Sequence, residues 1–212
     1  MTMPTSLTLR LTALMLAALS CFSVSAQSPT HSLADTSNAV TETPDAARSS
    51  PRFLLMGSHG RAMSSDDFHD RFQLIAFGYI SCPDVCPTTM LEMQQLLAAL
   101  GPRAKYIQPI FISVDPQRDT PAVLAAYTAN FDPRILGMTG SETLVRWAAD
   151  NFKVQYTKIR EPGAAANVYT IDHTAGMFLL GPDGQLLKKF GYSTPVPDMT
   201  RQIEDWLAAD GK

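Results

Sequence analysis

Apolar segments alternate with segments of helical periodicity along most of the chain. Residues 73–80 and 106–114 are nearly continuous apolar runs with aromatic and β-branched side chains, bounded by polar residues, which is typical of buried central strands. Between them apolar residues recur at helical spacing, and Gly101-Pro102 ends that segment. These apolar residues are Met90, Met93, Leu96, Leu97 and Leu100. The pattern predicts a β-α-β unit.

Two further helices are predicted after the second strand. Residues 120–131 begin with Thr120 and Pro121, which suit the N-cap and the first helical position. Residues 141–152 begin with Ser141, which is followed by a glutamate and an apolar stripe. Both segments extend the alternation of strands and helices.

The last part of the chain predicts a hairpin and a terminal helix. Short strands are expected at residues 168–171, 176–180 and 185–190, and a Gly-Pro-Asp-Gly turn joins the last two. Residues 197–209 have an amphipathic helical pattern. A β-α-β unit followed by helix, antiparallel hairpin and final helix predicts an α/β fold of the thioredoxin-like kind, with a central mixed sheet flanked by helices.

The first 26 residues have the features of a targeting segment. Arg10 precedes an apolar run at residues 11–22, and small residues stand just before Gln27. A helix over that run would rise about 18 Å, short of a bilayer core of roughly 30 Å. We therefore expect residues 1–26 to be a secretory signal peptide, with an uncleaved anchor as the alternative, and we expect Cys21 to be removed with the signal.

Residues 27–51 differ in composition from the rest of the chain. They are rich in Ser, Thr, Ala, Pro and Asp and hold almost no large apolar side chain, so they cannot bury enough surface to offset the entropy cost of ordering. We interpret them as a flexible tether. The remaining residues, 52–212, are expected to form one globular domain.

Composition narrows the possible functions. The 17 Lys and Arg residues against 20 Asp and Glu residues give a net charge of −3, and no basic cluster stands out, so nucleic acid is an unsuitable partner. Three cysteines are too few for a disulfide-rich scaffold. Removal of the signal leaves Cys82 and Cys86.

These two cysteines lie in residues 81–88, between the first predicted strand and the helix that comes after it. The carboxyl end of a parallel strand is where α/β sheets place their functional sites. Pro87 suits the first helical position and would make Cys86 the N-cap, where the positive helix end favours a thiolate. We therefore expect both sulfurs to be reactive.

A structural disulfide is the alternative for such a pair in an exported protein. A bridge across so few residues removes little loop entropy from the unfolded chain, which weakens that alternative. A closed structural zinc site would need four ligands, and the sequence has no second cysteine pair.

Four histidines are available as further ligands. His31 falls in the tether, and His59 and His69 fit surface positions. His173 stands just before a hairpin strand, where ordinary thioredoxin-like oxidoreductases keep a cis-proline beside the cysteines. A lone histidine is often only a structural residue, so both interpretations of His173 stay open. Two thiolates and one imidazole would suit Cu(I), and with an added ligand also Cu(II).

Three motifs in order carry a family resemblance. Residues 77–89, 111–121 and 171–174 together resemble the Sco/SenC family of cytochrome c oxidase assembly proteins, over roughly residues 53–207. The resemblance implies a thioredoxin-like fold, copper bound by Cys82, Cys86 and His173, and a role in building the dinuclear copper site of oxidase subunit II. Residues 53–60 fit the first hairpin of the family only loosely.

The family context also implies location and partners. Relatives are commonly held by an N-terminal membrane helix, so here the choice between a free periplasmic protein and one tethered to the inner membrane stays open. A disulfide cannot hold copper through thiolates, so loading in an oxidising bacterial periplasm requires a thiol reductant as well as an upstream copper donor.

Acidic and basic residues near these motifs are candidates for outer-shell or docking roles. Asp115, Arg118 and Asp119 come after the second predicted strand, and Asp84 and Asp172 adjoin the candidate ligands. Simple loop capping explains the first three equally well. Met90 and Met93 lie at core spacing and are expected to pack in the interior.

These residues support two functions. A copper metallochaperone, which binds and transfers rather than catalyses, would need Cys82, Cys86 and His173. A thiol-disulfide oxidoreductase that reduces the acceptor cysteines would need only Cys82 and Cys86 as catalytic residues. Peroxidase activity is a third and weaker option, since it requires a thiolate that reacts rapidly with peroxide.

Overall fold

The computed structural model describes residues 50–212. The predicted signal peptide, and residues 27–49 of the predicted tether, lie outside the described residues. Within residues 50–212, none of the helices combines the length and apolar character needed to cross a membrane.

A seven-stranded mixed sheet forms the centre of the domain, with the order β2-β1-β5-β4-β3-β8-β9, and β6 and β7 form a separate two-stranded sheet. The strands are β1 (Leu54–Gly57), β2 (Ala62–Ser64), β3 (Phe72–Gly78), β4 (Ile107–Ser113), β5 (Leu136–Thr139), β6 (Tyr156–Ile159), β7 (Thr170–His173), β8 (Met177–Leu180) and β9 (Leu186–Phe190). The α-helices are α1 (Val85–Ala99), α2 (Pro121–Ala129), α3 (Glu142–Asn151) and α4 (Val196–Ala209). Short 3-10 helices span Ser65–Phe68 and Gly101–Tyr106.

The three central strands run parallel, and the first strand of the C-terminal hairpin, β8, runs against them. β3 pairs with β4 from Phe72↔Ile107 to Gly78↔Ser113, and β4 pairs with β5. β8 is antiparallel to β3 and to β9. The predicted mixed α/β sheet is therefore confirmed.

Helices cover both faces of the sheet. The sheet thereby separates two hydrophobic cores. Alternate residues of β3 explain the division, because Leu74 and Ala76 pack on one face and Ile75 and Phe77 on the other. The first face carries α1, α2 and α4, and the second carries α3. Every residue of β3 is buried, which accounts for the continuous apolar run in the sequence. Met90 and Met93 lie in the first core with no exposed surface, as expected.

Short elements account for most differences from the predicted pattern. β5 was not predicted because its four residues include Gly137, a residue type that usually indicates a loop. A Cβ at Gly137 would lie 3.0 Å from Cβ of Leu124, so glycine allows α2 to pack directly on the strand. The loosely matching residues 53–60 contain β1, which nevertheless forms an antiparallel hairpin with β2.

Candidate metal centre

The cysteine segment connects the end of β3 to the start of α1. Helix α1 begins at Val85 with Asp84 as the N-cap, so the prediction that Cys86 is the N-cap is wrong. The first four N–H groups of a helix have no partner within the helix, so Pro87 fits the third position of α1 and does not delay its start. Cys86 consequently lies inside the first turn, and only 2% of it is exposed. Cys82 is half-buried, and both are free thiols.

The imidazole of His173 faces the buried cysteine. His173 is the last residue of β7, and its Nε2 lies 3.3 Å from Sγ of Cys86. Its Nδ1 lies 3.1 Å from the backbone oxygen of Thr174. Because a carbonyl oxygen only accepts hydrogen bonds, Nδ1 carries the proton in this contact, and the lone pair of Nε2 is directed to the sulfur side.

These three side chains converge on one point although the chain separates them. The two sulfurs and the His173 nitrogen all lie within 4.8 Å of one another. The structure therefore brings together the three residues that were predicted as ligands. Of the other histidines, His59 and His69 are exposed and outside this cluster, and His31 lies outside the described residues.

The backbone makes the two thiols unequal. Burial would by itself raise the pKa of Cys82, but the N–H groups of Asp84 and Cys86 donate to its sulfur and bring the pKa below its ordinary value. Burial raises the pKa of the Cys86 thiol far above its ordinary value. The metal-free protein therefore favours a thiolate at Cys82 and a thiol at Cys86, and the expectation that both sulfurs are reactive stays a prediction.

A glycine in β3 makes room for the buried sulfur. A Cβ at Gly78 would lie 2.8 Å from Sγ of Cys86 and 2.8 Å from Cε2 of Phe111. Such distances are too short for real contacts, so only glycine permits Cys86 to rest against the strand.

The donor set itself indicates which metals would fit. Two sulfurs and one nitrogen are soft or borderline ligands, and no carboxylate of the described residues joins them. Magnesium and calcium require oxygen ligands and do not suit this cluster. Copper, which was predicted from the same residues, fits it.

The acidic residues that adjoin the ligands are exposed. Asp84 makes no side-chain cap bond to α1, and Asp172 lies on β7 opposite Thr157 of β6. Both residues are exposed and lie within two positions of a predicted ligand in the chain.

The acidic residues of the loop after β4 are instead buried. Asp119, 1% exposed, accepts hydrogen bonds from the backbone N–H of Ile80 at 3.0 Å and from the hydroxyl of Ser113 at 2.6 Å. Asp115 has no exposed surface and forms an ion pair with Arg118. Neither carboxylate is available to a docked partner, so both act within the fold, and Asp119 ties the end of β3 to this loop.

Two tyrosines complete the surroundings of His173, and sequence reasoning assigned neither a role. The hydroxyl of Tyr169 donates to Oδ1 of Asp115 at 2.7 Å, and burial together with this carboxylate raises the pKa of Tyr169 to about 12. The hydroxyl oxygen of Tyr79 accepts the backbone N–H of Ile171 at 3.1 Å. Both tyrosines lie in sequence patterns typical of strands, and such patterns do not indicate the hydrogen bonds that their hydroxyls form.

Known proteins are similar to this chain in sequence and in fold. A family model described as SCO1/SenC matches residues 41–208. The SCO2-like protein of Rickettsia felis is 37% identical over 138 residues, which cover 65% of this chain and 67% of that protein. The structure of Bradyrhizobium japonicum ScoI with copper bound matches with a TM-score of 0.67 and 33% identity, over 74% of this chain and 98% of the other. The solution structure of apo Sco1 from Thermus thermophilus matches with a TM-score of 0.67 and 35% identity, over 74% of this chain and 90% of the other.

Proposed function

This chain belongs to the SCO1/SenC family, and we propose that it is a metallochaperone that holds copper through Cys82, Cys86 and His173. The observation that carries this proposal is the convergence of the three ligand atoms within 4.8 Å. The copper-bound ScoI structure supports copper as the metal. The family resemblance supports a role in cytochrome c oxidase assembly, and the acceptor we propose is the dinuclear copper site of subunit II.

Exposure of the ligands suits a protein that passes its metal on. Cys86 is buried, whereas Cys82 and His173 are half-buried. Copper held by these three groups would thus keep an accessible side, where incoming thiolates of an acceptor can replace the ligands one at a time. We propose that Asp84 and Asp172, which are exposed beside the ligands, contact the copper donor or the acceptor at that side.

The test is an anaerobic Cu(I) competition titration on the reduced protein. We expect one tightly bound Cu(I) per chain, and a loss of at least tenfold in affinity in His173→Ala, because the nitrogen donor is removed while the fold is kept. His69→Ala is the matched control, since His69 is exposed and outside the cluster. An unchanged affinity in His173→Ala would contradict the three-ligand site.

The inequality of the two thiols favours a second candidate, thiol-disulfide exchange. The accessible Cys82 would attack an acceptor disulfide as a thiolate, forming a mixed disulfide and releasing one acceptor thiolate. Cys86, deprotonated as it reacts, would then attack the Cys82 sulfur and release the second acceptor thiolate. The acceptor gains two electrons, this chain forms a Cys82–Cys86 disulfide, and a separate thiol reductant restores the pair.

Trapping distinguishes this reaction from metal binding. With a small disulfide such as oxidised glutathione, Cys86→Ser is expected to accumulate the mixed disulfide, and Cys82→Ser is expected to react at least tenfold more slowly. Mass spectrometry measures both. His173→Ala should exchange at nearly the normal rate, and equal reactivity of the two serine variants would rule out the assigned order of attack.

The same chemistry sets the requirements for partners and location. A Cys82–Cys86 disulfide would remove both thiolate ligands, so we propose that a reductant acts before an upstream donor supplies copper. We propose that this happens in the bacterial periplasm after export of the chain, with residues 27–51 as the tether.

A further inference from the structure

The strand that carries His173 belongs to a different sheet from the strand that leads to the cysteines. β7 pairs with β6, and among the described residues this two-stranded sheet shares no strand pairing with the central sheet. Backbone hydrogen bonds between strands therefore do not fix the distance between the imidazole and the sulfurs. That distance depends on the short connection from His173 to β8, which begins at Met177, and on side-chain contacts.

A half-buried arginine provides one group of these contacts. The guanidinium of Arg118 forms an ion pair with Asp115, and its Nη1 donates to the backbone oxygen of Tyr169 at 3.1 Å. Its central carbon lies 3.8 Å from the ring centroid of Tyr169. The Tyr169 hydroxyl also donates to Asp115 at 2.7 Å. The residue just before β7 is thereby held through both its backbone and its side chain.

Tyr79 provides the second group, one residue beyond the end of β3. Its hydroxyl oxygen accepts the N–H of Ile171 at 3.1 Å, and its ring meets the His173 ring edge-on at 6.0 Å between centroids. The central carbon of the Arg118 guanidinium lies 5.7 Å from the ring centroid of Tyr79. The four residues Asp115, Arg118, Tyr169 and Tyr79 form a continuous cluster, called here the β7 clamp.

Stability alone does not account for the β7 clamp. An ion pair with a fully buried carboxylate contributes little net stability, because removing that charge from water costs about as much as the attraction gains. The Nη2 atom of Arg118 is buried and finds no hydrogen-bond acceptor among the described residues, which adds a further cost. The arrangement instead fits contacts that orient a metal ligand.

We propose that Arg118, Tyr169 and Tyr79 are positioning residues that hold His173 against the cysteine sulfurs and thereby set the affinity for Cu(II) relative to Cu(I). The proposal rests on the proposed copper site. Both ions would use the His173 nitrogen, but the two soft thiolates suit Cu(I) better than Cu(II), so Cu(II) binding depends more strongly on the position of the imidazole. Loosening β7 should consequently weaken Cu(II) binding more than Cu(I) binding.

The experiment compares Tyr169→Phe and Arg118→Lys with a matched control. Tyr169→Phe deletes only the hydroxyl that donates to Asp115, and Arg118→Lys keeps the charge but loses the planar donors. The control is Arg146→Lys, because Arg146 stacks on Tyr156 of β6 at 3.6 Å and lies outside the β7 clamp. Competition titrations give the Kd for each copper ion, and the sulfur-to-Cu(II) charge-transfer band reports the ligand geometry.

The two clamp variants are expected to raise the Kd for Cu(II) by about tenfold and to shift the charge-transfer band. The Kd for Cu(I) should rise clearly less than the Kd for Cu(II), and the control should change neither the two Kd values nor the band. An unchanged Cu(II) affinity and band, an equal loss for both ions, or the same effect in Arg146→Lys would overturn the proposal.

A metal-free measurement separates the β7 clamp from the copper site. Amide hydrogen exchange at Ile171 and His173 should become faster in Tyr79→Phe and Tyr169→Phe, and should stay the same in Arg146→Lys. If the unaltered protein binds no copper, the proposed function fails, while exchange still tests the β7 clamp. Unchanged exchange rates in a folded Tyr79→Phe protein would overturn the proposed role of the β7 clamp.

Discussion

Single residues determine the positions and the exposure of the two cysteine sulfurs. Cys86 lies in the core because Gly78 offers no Cβ beneath it, and this burial gives the thiol its raised pKa. Cys82, four residues earlier, keeps access to solvent and to backbone donors. The difference in pKa between the two thiols thus depends on the close packing of Cys86 against Gly78 as well as on the cysteines themselves.

Gly78→Ala is expected to disturb both the fold and the metal centre. The added methyl group would meet Cys86 and Phe111 at 2.8 Å, and overpacking of this kind costs about 1–3 kcal/mol. Urea unfolding measures the loss, and the Cu(I) titration should show a weaker site because the sulfur is displaced. Gly191→Ala is the control, since nothing lies within 4 Å of a Cβ there. Equal stabilities of the two variants would contradict this packing role of Gly78.

Among the elements, β5 depends on the turn that precedes it. Asp132 accepts hydrogen bonds from the backbone and the guanidinium of Arg134, at 2.6 to 2.9 Å. The side-chain bond to Arg134 is the main cause that lowers the pKa of Asp132 below its ordinary value. The carboxylate therefore orients the chain as it enters β5 at Leu136, next to β4 in the centre of the sheet.

This ion pair predicts a dependence of stability on pH. Since the pKa of Asp132 is lower in the folded than in the unfolded chain, its contribution is fully present above the unfolded value of about 4 and is lost as pH falls through the folded value. Asp132→Asn should reduce the free energy of unfolding at pH 7 by roughly 0.5–1 kcal/mol, a small value because Arg134 is half-exposed. The difference in free energy of unfolding between Asp132→Asn and the unaltered protein should become smaller below about pH 4.

Urea unfolding at neutral and acidic pH measures this difference. Asp205→Asn is the control, because Asp205 is exposed and forms no ion pair among the described residues. A difference for Asp132→Asn that stays constant with pH would show that the carboxylate charge has no part in it.

For the molecule as a whole, buried elements and the order of the motifs could be predicted from the sequence, whereas exposed strands and contacts between distant side chains could not. β3, β4 and α1 were predicted within a few residues of their observed ends, because burial on both faces and helical spacing leave strong patterns. β6 was missed because three of its four residues are exposed. Cys82, Cys86 and His173 were identified through motif order and topology, but the β7 clamp depends on contacts such as that between Ile171 and Tyr79, 92 residues apart.

The span between Cys86 and His173 has one more consequence. Cys86 and His173 are 87 residues apart in the chain, so an unfolded chain seldom holds them together, since closing so long a loop costs entropy. A copper ion bound to both would act as a cross-link that exists only in the native state, and by mass action it would favour that state. The free energy of copper binding to the folded chain would then also stabilise that chain against unfolding.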